Sequence, residues 1–182
     1  MTKILQVGMW EVREMVLTKE KVERIWKLLQ DYRTLFSDLT RGDYNAWVQY
    51  ITDPNTYWLE IYGEKDLVGV VYFEQLNAMI DFEGHMMFFD RRPAEKKEVL
   101  RELLKFMFAR FDLLNRITLN VPKMYYATRR LALAMSFVEE GTKREAVMIG
   151  GKWCDLISYG ILRRQVNVWT NRENQDSRER TG

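Results

Sequence analysis

The chain has little cysteine and histidine, with one of each, Cys154 and His85, among 182 residues. A lone cysteine forms no internal disulfide, and the pair is too small for the Cys/His clusters that hold zinc. No metal is expected, and a reducing, cytoplasmic setting is. Charge of one sign is equally scarce: 28 Lys and Arg stand against 26 Asp and Glu, a formal +2. Such a balance does not mark a dedicated nucleic-acid coat. From Arg163 onward five Arg face three acids, an excess equal to that of the whole chain, so residues 1–162 are formally neutral. No apolar run approaches the roughly 20 residues of a membrane-crossing helix. Met1 to Glu11 lacks the long apolar core of a secretory signal, so a soluble protein with no membrane partner is expected. What the chain does have is apolar mass, 47% of its residues, enough to fill one core at this length.

Apolar spacing sorts that mass into elements. Val22, Ile25, Trp26 and Leu29 recur at helical spacing between Lys19 and Gln30, with Thr18 placed as a cap. Tyr44 to Ile51 reads as a second short helix, ended by the turn signal Asp53-Pro54-Asn55. Three strands follow, Tyr57–Tyr62, Leu67–Gln75 and Met79–Phe89, most economically an antiparallel meander. Leu100, Leu103, Leu104, Met107 and Phe111 then mark one face of a helix from Pro93 to Leu113. A strand over Arg116–Val121 and a helix over Tyr126–Met135 come next, and this alternation requires a crossover. The strands Phe137–Ile149 and Trp153–Leu162 close the order as a hairpin turned by Gly150-Gly151. Past Leu162 the sequence is polar and unpatterned, so a domain over residues 1–164 and a basic, mobile tail over 165–182 are expected.

The C-terminal half carries a more specific signal. Thr128-Arg129-Arg130-Leu131, Met135-Ser136-Phe137, Glu140-Gly141, Arg144, Gly151, Asp155 and Tyr159-Gly160-Ile161-Leu162-Arg163 follow one another at set spacings. This series resembles the GCN5-related N-acetyltransferase (GNAT) superfamily, and most of all its Rim-type branch, which acetylates ribosomal-protein N-termini. That branch reads N-x-x-S-x-R before leucine-glycine-phenylalanine, then E-G-x-x-R, a glycine, an aspartate and Y-G-x-L-R. The similarity covers residues 57–164 and is tightest over 128–163. It implies an α/β (α+β) GNAT fold, with a mixed, mostly antiparallel sheet of about six to seven strands and about four helices.

The resemblance also implies a reaction, the transfer of an acetyl group from acetyl-CoA, as co-substrate, to an amine of a protein, peptide or small molecule. A neutral nitrogen attacks the thioester carbonyl, so the site needs a proton acceptor, donors for the oxyanion and a proton for the leaving thiolate. In the family, backbone groups of the fourth strand meet the thioester and pantetheine where that strand parts from the fifth. Here this stretch is Gly84–Asp90, with Met86, Met87 and Phe88 at its centre. The diphosphate sits on the N-terminus of the next helix, here Arg91–Lys97.

The chain departs from the family at three places. The diphosphate loop R/Q-x-x-G-x-G/A becomes Ala94-Glu95-Lys96-Lys97-Glu98-Val99, without glycine. Two readings stand there: Arg91, Arg92, Lys96 and Lys97 hold phosphate as side-chain cations, or Arg91 to Glu102 is a solvated, charge-rich helix start. The CoA-contacting asparagine and serine become Tyr125 and Thr128, and the position of the usual tyrosine general acid is Ala132. Glu83, near the family's acidic strand position, is the candidate base, against the alternative of an exposed strand glutamate, and Glu74 is second to it. His85, two residues on, shares its sheet face and is the other catalytic candidate, or else a packed or surface histidine. Cys154 reads as a small core residue, and Asp155 with Arg144 as braces of the last hairpin.

These observations lead to an acyl-CoA-dependent N-acyltransferase. The glycine-free loop and altered helix favour a second reading, a catalytically degenerate member that serves as a binding or structural module. A third has Arg129, Arg130, Arg163, Arg164 and the tail touching nucleic-acid phosphates, which the near-neutral charge disfavours.

Overall fold

The computed structural model describes residues 3–31, 43–77, 79–89 and 94–169. Strands β1 (Lys3–Val7) and β2 (Trp10–Glu14) open the chain, followed by helices α1 (Lys19–Asp31) and α2 (Tyr44–Ile51). The meander β3 (Thr56–Gly63), β4 (Asp66–Asn77), β5 (Asp81–Phe88) leads into α3 (Ala94–Arg110), β6 (Arg116–Pro122) and α4 (Tyr126–Ala134). The hairpin β7 (Val138–Ile149), β8 (Lys152–Leu162) precedes a last helix, α5, over residues 163–169. Eight strands form one sheet in the order β1-β2-β3-β4-β5-β6-β8-β7, every neighbouring pair antiparallel except β5 and β6.

The local chemistry behind these elements is plain. Thr18 Oγ1 accepts from the Lys21 N–H at 3.3 Å, and Asp43 accepts from the Asn45 N–H at 2.8 Å, each satisfying an otherwise orphaned donor at a helix start. The Asp53 side chain accepts from the Asn55 N–H at 2.8 Å and turns the chain into β3. Gly150 and Gly151 both sit at positive φ, 61° and 74°, as a two-residue hairpin turn demands. The β1–β2 hairpin adds two strands to the six placed from the sequence, which takes the sheet to eight against the six to seven expected. Its signal was present in Trp10-Glu11-Val12-Arg13, where the first and third residues are fully buried and their neighbours are not.

Both faces of the sheet are covered, so β4 reads as a nearly continuous apolar run rather than an alternation. On one face Val71, Phe73 and Phe82 pack with Leu103, Met107 and Phe108 of α3. On the other, Trp58, Val70, Tyr72 and Met87 pack with Ile25 and Leu29 of α1 and Trp47 and Ile51 of α2. Helix α5 continues past the expected domain limit at residue 164. Val166 of α5 is buried and Trp169 packs on the core, the two lying three residues apart on one helical face. Residues 170–182, the rest of the expected tail, lie outside the described residues.

Arg163 fastens this last segment to α3. Its guanidinium donates to the carbonyl of Phe108 in the last turn of α3, which the helix end leaves without a helical partner, and to the carbonyls of Phe111 at 2.6 Å, Asp112 at 3.1 Å and Leu114 at 2.8 Å in the turn that follows. Arg163→Ala is expected to lower stability by about 2–3 kcal/mol in urea unfolding, because charge-assisted bonds are lost together. Ser136, at the family's glycine position after α4, sits at φ 64°. A Cβ is disfavoured there, so Ser136→Gly should raise stability by about 0.5–1 kcal/mol; a lower melting temperature would contradict that account.

Candidate active site between two parting strands

β5 and β6 pair only over Asp81–Glu83 with Arg116–Thr118. Beyond that point β5 stays paired with β4 as far as Phe88, and β6 stays paired with β8 as far as Pro122, while the two part from each other. The gap is a cleft of about 280 Å³. Antiparallel pairing fixes what β5 presents to it. The Phe89 N–H donates to the Val68 carbonyl at 2.8 Å, so the residues in step with Phe89, namely Met87, His85 and Glu83, bond towards β4. Gly84, Met86 and Phe88 therefore turn their backbone N–H and C=O away from β4; Gly84 adjoins the last rung with Thr118, and Met86 and Phe88 lie beyond it, where β5 has no further register with β6.

The strand period of two then separates the side chains. Glu83 and His85 project to the face covered by α1 and α2, and there they meet a polar and aromatic wall. The His85 ring stacks on Tyr72 at 4.5 Å and 7°, and Tyr72 on Trp58 at 4.0 Å and 22°. His85 Nε2 is covered and lies 3.7 Å from Glu74 Oε1 and 3.6 Å from Glu83 Oε1, too far for a direct hydrogen bond to either. Burial holds the imidazole pKa down to about 4, against a weaker upward pull from Glu74, so His85 is neutral at neutral pH. The Tyr50 hydroxyl of α2 donates to Glu74 and lies 2.7 Å from the Tyr72 hydroxyl. Burial raises the pKa of both tyrosines, which stay protonated and act as donors. Further along, the Thr118 hydroxyl donates to Asp81 at 3.0 Å, and Ser158 donates to Asn120 at 2.7 Å beside the cleft.

Of the residues singled out in the sequence, Glu83, His85, Met86, Met87, Tyr125 and Thr128 line this cleft. Their parts differ from expectation in one respect: the backbone of Met87 is spent on β4, and the groups turned away from β4 are those of Gly84, Met86 and Phe88. The Phe88 side chain packs at 5.8 Å from Trp10, away from the cleft. Arg91 and Arg92 lie outside the described residues. Lys96 rests its ammonium 5.1 Å from the Phe88 ring centre, and Lys97 is exposed in the first turns of α3. Tyr50 and Asn120 were not anticipated, because only the tertiary packing of α2 and β6 brings them here.

Two arginines named for phosphate contact have other work. Arg129 donates to the Tyr159 hydroxyl at 3.1 Å and the Lys123 carbonyl at 3.3 Å, and Arg163 is fully engaged at the end of α3. Asp155 accepts from the Glu145 N–H at 3.1 Å and from Lys123 at 3.2 Å, bracing the bulge in β7; these contacts lower its pKa, the backbone bond most. Cys154 lies against Met124 with its sulfur 3.8 Å away. Among the described residues no group of three or more His, Cys, Asp or Glu is arranged to hold a metal, and no helix is long and apolar enough to cross a membrane.

Solved structures share this architecture. A probable acetyltransferase superposes with a TM-score of 0.68 at 20% identity, covering 87% of this chain and 95% of its own. A variant of the spermidine N-acetyltransferase SpeG from Vibrio cholerae gives 0.72 at 19% identity, covering 87% and 96%. The same enzyme in complex with CoA and spermine gives 0.71 at 18%, covering 87% and 98%. No protein-family model matches the chain, and no curated protein sequence does. The likeness establishes the fold, a mixed α/β GNAT fold.

The neutral histidine has a measurable consequence. With its folded pKa near 4 and an unfolded value near 6.5, His85 favours the folded state fully above pH 6.5, and that contribution is lost as pH falls towards 4. Urea midpoints measured from pH 7 to 4 should therefore fall more steeply for the wild type than for His85→Gln. Parallel curves would mean that His85 titrates as in a free peptide.

Proposed function

We propose that the protein is an acyl-CoA-dependent N-acyltransferase, with acetyl-CoA as a donor and an amine of a protein, peptide or small molecule as acceptor. The observation that carries this reading is the parting of β5 from β6, which turns the backbone edge of β5 at Gly84 and Met86 onto a cleft walled by Glu83 and His85. A strand edge of this kind offers amide N–H donors to a thioester oxygen and both donors and acceptors to the pantetheine amides. Tyr125 and Thr128 lie across the cleft at the start of α4, where they flank the same chain. Lys97 and the N-terminal turn of α3 suit the diphosphate, with Arg91, Arg92 and Lys96 as further cations.

The amine nitrogen attacks the thioester carbonyl, the C–N bond forms and the C–S bond breaks. Glu83 receives the proton that nitrogen gives up, through a water held at the carboxylate, while neutral His85 keeps the neighbouring carboxylates apart without neutralising either. The thiolate leaves and takes its proton from water, since Ala132, at the family's general-acid position, is buried and has no hydroxyl. Acceptors to try are spermidine and spermine, which the structurally similar SpeG suggests, and peptide N-termini, which the Rim-type similarity over residues 128–163 suggests. The glycine-free start of α3 supports a second reading, a GNAT-fold module that binds without turnover.

Calorimetric titration of acetyl-CoA separates the readings. Binding in the micromolar range with acetyl transfer to an amine of this panel is the expected result, and no heat at millimolar ligand would end the enzyme reading. Glu83→Gln should reduce turnover about 10²–10⁴-fold while leaving acyl-CoA affinity within about twofold. An unchanged rate would remove Glu83 as the base.

A further inference from the structure

Behind the cleft, on the other face of the sheet, lies a second space. It is an apolar recess of about 30 Å³ between the sheet and helices α3 and α4, walled by Val71, Leu103, Ile117, Leu131, Ala132 and Met135 among others. It shares Gly84, His85, Met86 and Leu119 with the cleft, so the two spaces meet along the strand edge where the thioester carbonyl belongs. Gly84 stands at that meeting point. A Cβ built on it would lie 3.1 Å from Leu119 Cδ2 and 3.3 Å from Phe73 Cε1, so any side chain at this position would crowd the junction. Well-packed interiors leave few voids larger than a water molecule, and a recess of this size holds roughly two water-sized groups in a setting that keeps water out.

We propose that this recess is an acyl pocket, and that the protein takes donors about two carbons longer than acetyl, of the propanoyl to butanoyl class, in preference to acetyl-CoA. The proposal rests on the acyltransferase reading and adds the identity of the group transferred. The carbonyl stays at the edge of β5, facing the cleft, while the alkyl chain reaches the recess between Met86 and Leu119, which line both spaces; the close packing around Gly84 leaves no route on that residue's own face. The balance of the reaction is that of any N-acylation: the amine nitrogen bonds to the acyl carbon, the carbon–sulfur bond breaks, the amine proton is taken up and the CoA thiolate is protonated as it leaves. Each methylene moved from water into this setting should tighten binding about fourfold, the ratio equivalent to about 0.8 kcal/mol. Two methylenes should therefore give about tenfold or somewhat more. Hexanoyl, with four, exceeds the room available.

The test needs no knowledge of the acceptor. Dissociation constants of CoA, acetyl-CoA, butanoyl-CoA and hexanoyl-CoA are measured by calorimetry on the full chain and on Ala132→Leu, which fills the recess from α4. The wild type should bind butanoyl-CoA about tenfold more tightly than acetyl-CoA, with hexanoyl-CoA no better than butanoyl-CoA. In Ala132→Leu that preference should vanish while acetyl-CoA binding stays within about twofold. Should the bulk of leucine prevent folding, Val71→Ile adds a single methylene to the same space and should cut the preference about fourfold. Equal affinity for acetyl and butanoyl donors in the wild type, or a preference that survives the filling variant, overturns the acyl pocket while leaving an acetyltransferase intact. Absence of binding by CoA and all its thioesters overturns both together.

Discussion

Everything in this molecule turns on two strands that begin as partners and then separate. Leaving strand backbone unpaired is costly, because a strand edge without partners forgoes bonds that water must replace. The arrangement persists because each strand is held from its other side: β5 by β4 over its whole length and β6 by β8 from Arg116 to Pro122. The crossover through α3 adds the third restraint, since its apolar face is packed into the same core as both strands. Arg163, reaching from the end of β8 to the end of α3, fixes the helix at its far end. The gap is thus a consequence of the topology, held open by the pairing on either side of it.

On the α1 and α2 side the same geometry gathers charge. Asp81, Glu83 and Glu74 lie on one face, and repulsion among them would be severe if each were alone. Arg116 offsets Asp81 at 3.4 Å and pairs with Glu140, so the end of the face nearest the β5–β6 junction is compensated. Burial and the hydrogen bond from Thr118 act in opposite senses on Asp81, and burial dominates, raising its pKa. At the cleft end no cation answers Glu74 and Glu83 among the contacts described. Tyr50 donates to Glu74, and His85 stays neutral between the two carboxylates, so negative charge is held where an ammonium group would first meet the site. The stacked rings of Trp58, Tyr72 and His85 fix that geometry against rotation.

Much of this was legible in the sequence because it depends on local period. The helix over Lys19–Asp31, the three-strand meander, the crossover and the Gly-Gly hairpin all follow from spacing and turn chemistry, and the pairing of Glu83 with His85 on one face follows from strand period. Other features were not legible for physical reasons. Trp10 and Val12 carry a strand signal only five residues long, too few alternations for the period to stand out. Val166 and Trp169 gave a helical face within a polar stretch that net composition described as a tail. Tyr50 reaches Glu74 only because α2 packs across β4, a contact separated by 24 residues in the chain. Arg129 and Arg163 looked like free cations because nothing local reveals that their partners are a tyrosine on β8 and the carbonyls around the end of α3.

The parity of β5 gives its two faces opposite character, as the proposed acyl transfer would require. Successive side chains point to opposite faces, so Glu83 and His85 go to the polar wall while Gly84 and Met86 go to the apolar recess. Backbone groups lie in the plane between, and those of the second set face the gap. An amine approaching from the carboxylate side and an acyl chain lodged on the carbon-lined side would therefore meet at the strand edge, where the amide donors are. A shift of one residue in register would exchange these faces, placing carboxylates in the recess and leaving the polar wall without them. The register is fixed by Val70 against Met87, a buried pair, and by buried Tyr72 stacked on half-buried His85. Core packing on β4 thus decides which face of β5 carries charge and which is lined by carbon.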